Sequence, residues 1–234
     1  MFLSTVIAAY KERENLGELT ERLLKELDKT GLNYEILYVI QSNDGSKELL
    51  DAINNPKVRY LYFPDPLGVS RAFIEGFKNV VDKANLVLTM DADLNHQPEE
   101  IHGLLKCLKE KNADLTIGSR YIPGGKMIGM PAWKLFLSKT MNQIISLFSR
   151  VKVADKTSGF RIYKKPIIQE VINEMKATNF EFYPEVVLIA ARHGHTFAET
   201  PITFKFRVRG QSKMYKFQTM LGYLKMFWRK LLGK

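Results

Sequence analysis

The chain predicts a single α/β domain in which a mostly parallel, twisted sheet is flanked by helices. Three observations carry that expectation. From Phe2 to Ile117, short runs of β-branched and apolar residues alternate with segments whose large side chains recur at helical spacing. Repeated strand–helix–strand units of this kind fold as a parallel sheet covered on both faces. At 234 residues, 45% apolar and 26% charged, the chain can bury one substantial core, and it shows no repeat or long linker that would divide it. Finally, the run Leu86–Met90 stops at Asp91 and Asp93, which places two carboxylates at a strand's carboxyl end, where open α/β sheets bind their ligands.

Phe2–Ala9 reads as the first strand, and Glu12–Lys29 as a helix with Leu16, Leu19, Leu23, Leu24 and Leu27 on one face. Tyr34–Ile40 is a buried strand, Ser46–Ile53 a short helix and Val58–Phe63 a third strand. Gly68–Asp82 turns Phe73, Phe77, Val80 and Val81 inward as a helix, and Leu86–Met90 follows as the fourth strand. Pro98 opens a helix to Lys111, because proline's missing N–H is harmless in a first turn. Asp114–Ile117 closes the regular half. Beyond it, Pro123-Gly124-Gly125 and Gly129–Pro131 mark a loop, Lys134–Ser149 a helix, and Asp155–Gly159 a loop before the strand Phe160–Tyr163. Pro166–Glu174 and Tyr183–Arg192 read as helices, Thr196–Phe206 as one strand, and Arg207–Lys213 as a cationic loop.

The net charge of +10 argues for an anionic partner: nucleotide phosphates, an anionic membrane face or nucleic acid. No apolar run is long enough to span a bilayer. The N-terminus carries no basic leader ahead of its apolar run, and the lone Cys107 excludes an internal disulfide. The expected compartment is the cytosol. Nucleic acid is not expected as a partner, because no RNP, zinc-finger or helix-turn-helix signature appears.

Asp91, Asp93 and the amide oxygen of Asn95 alternate along one extended segment and can point the same way. Hard oxygen ligands of this type suit Mg²⁺ or Mn²⁺, whose open positions phosphate oxygens commonly fill. An isolated Asp-x-Asp is more often a capped strand end. The remaining motifs change that balance.

VIAAYKERENL, NDGS, LGVSRAFIEGFK, MDADLNHQP, GSRY, SGFRIYKK and RVRGQSK follow one another in the order of the strands. In this order they resemble the family two inverting glycosyltransferases of GT-A fold, in the branch of the dolichol-phosphate and polyprenol-phosphate mannose synthases. The resemblance implies that Asp91, Asp93 and Asn95 hold the cation on a nucleotide-sugar donor, although relatives often carry Gln at the place of Asn95. It places Ala8, Tyr10 and Glu12 in the nucleotide cradle, with Ala8 where a Pro is usual and Lys11 where an Asn is usual. Arg207, Ser212 and Lys213 match a loop that closes over the donor phosphates, Arg207 and Lys213 acting with the cation on the leaving group. Arg120, with Lys134 and Ser158, matches the acceptor-phosphate side. One departure concerns the donor: Ile40 and Gln41 stand where relatives carry paired acids, so the base is left open between Asp44 acting in their stead and Asp44 as a turn residue.

The implied reaction is metal-dependent transfer of a hexose, with mannose from GDP-mannose to a polyprenyl (dolichyl) monophosphate as the first expectation. The alternatives are glucose from a uridine donor, or a catalytically weak membrane-binding homologue. A phosphate acceptor is already ionised near neutral pH and needs no strong base, which fits the lack of a His–carboxylate pair in the motifs. His96 reads as a structural hydrogen-bonding residue. The domain is expected to end near Lys213. Residues 214–234 form a cationic amphipathic segment, with Phe217, Met220, Leu221, Leu224, Phe227, Trp228, Leu231 and Leu232 at helical spacing beside Lys225, Arg229, Lys230 and Lys234. Such a segment suits peripheral association with the cytoplasmic membrane face, or packing on the core or a partner.

Overall fold

The computed structural model describes residues 1–80, 82–149, 151–206, 222 and 225. Its first half follows the expected alternation: β1 (Phe2–Ala9), α1 (Arg13–Asp28), β2 (Asn33–Ile40), α2 (Ser46–Ile53), β3 (Val58–Tyr62), α3 (Val69–Val80) and β4 (Leu86–Thr89). A single 3-10 turn, Pro98–Glu100, leads into α4 (Ile101–Glu110), followed by β5 (Leu115–Ser119), β6 (Lys126–Ile128), α5 (Ala132–Ser149) and β7 (Arg161–Lys164). The chain continues through α6 (Lys165–Glu174), α7 (Phe182–Arg192), β8 (Phe197–Pro201) and β9 (Thr203–Lys205).

Seven strands form one sheet in the order β3-β2-β1-β4-β7-β5-β8, and β6 pairs with β9 in a second, small one. All neighbours in the large sheet are parallel except β7, which runs against both β4 and β5. Strand residues alternate between two cores. Leu3, Ile7, Ile36 and Leu88 face α1 and α4, meeting Leu16, Leu23, Ile101 and Leu104. Val6, Leu37, Val39 and Val87 face α3, α6 and α7, meeting Phe73, Phe77, Ile168 and Val186. On that second face α3 lies so close that a Cβ on Gly76 would sit 2.4 Å from Val6 Cγ1, so only glycine fits there.

Two expectations change. The segment 196–206 is not one strand: β8 pairs with β5, the chain steps across at Ile202, and β9 pairs with β6. Pro201 has no N–H to continue the ladder. Ile202 bridges both partners instead, donating to Ser119 O at 3.1 Å and accepting from Lys126 N at 2.9 Å. β6 itself emerges from the stretch read as a Gly/Pro loop. The expected boundary after Lys213, the loop 207–213 and, apart from Gly222 and Lys225, the stripe 217–234 lie outside the described residues. No helix among the described residues is long and apolar enough to cross a membrane.

Candidate active site

The carboxyl ends of β1, β2, β4 and β5 share one edge of the sheet with the amino end of the reversed β7. β4 sits beside β1, on the side away from β2, so its end opens onto the crevice where strand order reverses. Asp91 and Asp93 stand in the turn that leaves β4. Leu94 there takes φ +61°, a left-handed conformation that costs a leucine about 1 kcal/mol. The turn is held by Gln97, whose side-chain amide donates to the Leu94 and Asn95 carbonyls, both at 3.2 Å, and by Lys205 N on Asn95 O at 2.9 Å.

Asp93 accepts from the Asn95 backbone N–H at 3.2 Å and from its side-chain amide nitrogen at 2.8 Å. That orientation leaves Asn95 Oδ1 buried and without a hydrogen-bond partner. Asp91 Oδ1 accepts from the Tyr183 hydroxyl at 3.0 Å, and its backbone N–H donates to His96 Nδ1 at 3.3 Å. His96 is fully buried, stacked on Phe160 at 5.3 Å and edge-on to Phe204 at 5.4 Å. Burial, with the nearby Arg120 charge, depresses its pKa to about 4, so the ring is neutral and serves as an acceptor.

On the β1 side, Glu12 is buried and accepts the Asn15 side-chain amide at 2.7 Å, while its carbonyl receives the N–H groups of Asn15 and Leu16 and starts α1. Lys11 turns the chain with φ +55° and donates its N–H to Ser42 Oγ at 3.0 Å. Its ammonium lies 5.4 Å from the centre of the half-buried Tyr10 ring. Ala8 is inside β1 opposite Val39, packed on the second core. At the end of β2, Gln41 is buried and accepts Leu67 N at 2.9 Å, which pins the loop before α3. Asp44 accepts Ser46 N at 3.2 Å at the start of α2 and Arg13 N at 3.4 Å. Its contacts are those of a turn residue.

On the far side, Arg120 follows β5 and is clamped by Asp155: Nε to Oδ2 at 2.7 Å and one terminal nitrogen to Oδ1 at 2.8 Å, with Thr157 Oγ1 at 2.9 Å from that nitrogen. Asp155 is fully buried. Burial opposes both charges, but the pairing outweighs it, holding the carboxyl below its ordinary range and raising the guanidinium. Asp91 adds to the latter effect, so the two halves of the edge are within electrostatic reach of one another. The other terminal nitrogen of Arg120 has no hydrogen-bond partner among the described residues.

The loop carrying Asp155 is itself fastened by polar side chains. Glu199 accepts Ala154 N at 2.7 Å and Asp155 N at 3.0 Å, and Asn142 of α5 receives Lys156 N at 2.7 Å while donating to Thr157 at 3.0 Å. Lys156, fully buried, donates to Ser146 Oγ at 2.8 Å and to Val153 O. Arg161, also fully buried, spends its guanidinium on three carbonyls: Ser158 at 2.7 Å, Tyr183 at 2.7 Å and Lys156 at 2.6 Å. Ser158 lies in this loop, buried, with its hydroxyl 3.4 Å from Phe160 N. Lys134 falls in the first turn of α5.

The edge therefore gathers Tyr10, Glu12, Asp91, Asp93, Asn95, Arg120 and Ser158. Arg207, Ser212 and Lys213 lie outside the described residues. Residues 4–172 match the model of glycosyl transferase family 2. The chain belongs to that family.

Among its family 2 relatives, the dolichol-phosphate mannosyltransferase of Pyrococcus furiosus is 35% identical over 98% of this chain, which spans only 63% of that protein. The polyprenol monophosphomannose synthase of Mycolicibacterium smegmatis is 34% identical over 89% of this chain and 79% of its own length. The fold is that of GT-A glycosyltransferases. Glucosyl-3-phosphoglycerate synthase from Mycobacterium tuberculosis, solved with Mn²⁺, UDP-glucose and phosphoglyceric acid, superposes with a TM-score of 0.71 at 13% identity, covering 99% of this chain and 78% of that one.

The family 2 site offers Asp91, Asp93 and the unpartnered buried Asn95 Oδ1 as hard oxygen donors on one turn. This donor set fits a divalent cation of the Mg²⁺ or Mn²⁺ class. The motifs pointed to Asp91, Asp93 and Arg120. They did not point to Tyr183, Asp155 or Asn142, and the only local hint was the glycine of SGF. A Cβ on Gly159 would lie 3.0 Å from three atoms of the Tyr183 ring and hydroxyl, so this glycine is what admits the tyrosine to Asp91.

Proposed function

We propose that this chain transfers mannose from GDP-mannose to a polyprenyl monophosphate, with inversion and with Mg²⁺ or Mn²⁺ as cofactor. The observation that carries the reading is the pairing of two anion-directed devices on one edge. The Asp91–Asp93 turn would hold a cation for a diphosphate, and Arg120, close enough to sense the Asp91 charge, offers a guanidinium to a second phosphate. The names of the relatives from Pyrococcus and Mycolicibacterium support the same sugar and acceptor class.

In this reading Asp91, Asp93 and Asn95 would hold the cation, which would supply charge neutralisation to the departing diphosphate. Tyr10 and Glu12, with Ala8 behind them, form the wall for the nucleotide. Arg207, Ser212 and Lys213, which lie outside the described residues, are assigned to the donor phosphates by the family resemblance alone. Arg120, with Nε and one terminal nitrogen committed to Asp155, would orient the acceptor phosphate through its remaining terminal nitrogen, with Lys134 and Ser158 beside it. An acceptor oxygen forms its bond to the anomeric carbon as the opposite bond to the diphosphate breaks. No proton need be removed from an ionised monophosphate. His96 is not a base here, since it is buried and its Nδ1 already accepts the Asp91 N–H.

A polyprenyl acceptor also requires a membrane face. Phe136 and Leu147 on α5 are 73% and 82% exposed and lie three turns apart on one stripe, and Ile128 of β6 is 52% exposed. α5 is tied to the turn that carries Arg120 through the Tyr121 hydroxyl, which bonds to Ser138 at 2.7 Å. Phe136, Leu147 and Ile128 would lay this flank on the headgroup boundary.

The test is to incubate the protein with Mn²⁺, polyprenyl phosphate in vesicles and a panel of nucleotide sugars, and to weigh the glycolipid formed. A mannosyl phospholipid from GDP-mannose alone is expected. A glucosyl product from UDP-glucose would replace the donor, and turnover undiminished by excess chelator would remove the cation.

A further inference from the structure

We propose that Tyr183 is a positioning residue for Asp91, fixing the carboxylate so that it meets a divalent cation in a preset orientation. The inference rests on the cation reading above.

Two hydrogen bonds from described residues bear on Asp91. Its backbone is held by His96, and its carboxylate oxygen Oδ1 by the Tyr183 hydroxyl at 3.0 Å. The side chain is one-third exposed, so its own packing does little to fix it. Tyr183, by contrast, is immobilised along its length. It is 6% exposed, packs edge-on against Phe73 and Phe182 with ring centres 6.0 and 5.5 Å apart, and has the Arg161 guanidinium 5.6 Å from its ring. Arg161 also bonds its carbonyl at 2.7 Å. The hydroxyl is thus delivered to Asp91 by a rigid element. Gly159 completes the arrangement, because any side chain there would press on the ring edge and hydroxyl.

A hydrogen bond from a fixed donor selects which carboxylate oxygen is occupied and sets the plane of the group. Supports of this kind typically change metal affinity by about 10–100-fold when removed. Tyr183 does not itself reach the reacting atoms in this scheme. It acts through Asp91.

The experiment is a Mn²⁺ titration of the full chain, alone and with GDP or UDP, following the electron paramagnetic resonance signal of the free ion, on the parent protein and on Tyr183→Phe, Gly159→Ala and Asp91→Asn. Tyr183→Phe keeps the ring and should weaken Mn²⁺ binding about tenfold with an unchanged melting temperature. Gly159→Ala keeps the hydroxyl but displaces it, and should weaken binding similarly. Asp91→Asn should weaken it most. If Tyr183→Phe binds as tightly as the parent, the positioning role is wrong while the cation reading stands. If both Tyr183→Phe and Gly159→Ala lose affinity only along with the fold, Tyr183 is a core residue and the inference is overturned. If the parent binds no Mn²⁺ under any of these conditions, the cation reading itself fails.

Discussion

From Phe2 to Thr89 the molecule is held mainly by apolar side chains on an alternating sheet, whereas from Ser119 to Arg161 it is held by charges taken out of water. Leu3, Ile7, Ile36 and Leu88 on one face, and Val6, Val39, Phe73 and Phe77 on the other, need only the right volume and the right alternation. The second region depends on Asp155 meeting Arg120, on Asn142 meeting Lys156 and Thr157, and on Arg161 meeting three carbonyls. The difference teaches where stability and activity separate. On the β1–β4 side the carboxylates proposed to hold a cation stand on a finished scaffold; on the β5–β7 side the arginine proposed to meet the acceptor is part of the scaffold.

The sharpest test of that contrast is a pair of variants. Asp93→Ala should lower sugar transfer about 10³-fold or more, while leaving the urea midpoint near that of the parent. Asp155→Ala should instead cost about 3–5 kcal/mol of stability, because it strands Arg120 in a buried site. Denaturant melts of both proteins beside single-turnover rates decide the matter, and equal stability losses would erase the distinction.

A smaller effect belongs to His96, at the seam between the two regions. Its pKa is near 4 folded and 6.5 as an ordinary histidine. The unfolded chain therefore binds a proton across this window that the folded chain refuses. Stability should be full above about pH 6.5 and fall by about 3 kcal/mol as the pH drops to about 4. Urea melts across that range, without added metal, should show the slope, and His96→Asn should flatten it. Last, Gly76→Ala forces a methyl onto Val6 on the apolar side and should cost about 1–3 kcal/mol without changing the transfer rate of the protein that remains folded.

The same contrast decides what the sequence could reveal. Helical and strand periodicity located β1 through β4 within a residue or two, and the start of α4 within three, because apolar alternation is written locally. Asp91 and Asp93 stand out in the sequence as candidates because their chemistry repeats within one turn. Asp155 and Tyr183 were not, because their meaning lies in partners far along the chain: Arg120 is 35 residues from Asp155, and Asp91 is 92 from Tyr183. Nothing near Tyr183 in sequence marks it. The break at Ile202 was hidden for a related reason, since a change of partner strand leaves the alternation of an extended segment intact.

The reversed β7 has a consequence for how such an enzyme can diversify. Because β5 ends and β7 begins on the same edge of the sheet, the intervening chain, with β6 and α5, leaves and returns through one doorway. It never has to cross the sheet, so no crossover length is imposed on it. An insertion, deletion or wholesale replacement between Ser119 and Arg161 is limited by the Arg120 and Arg161 moorings and by the β6–β9 pairing, and not by the register of the seven-stranded sheet. Grafting this excursion from one relative to another, with both moorings kept, should exchange the surface proposed to meet the acceptor while the parallel strands and their carboxylates stay in place.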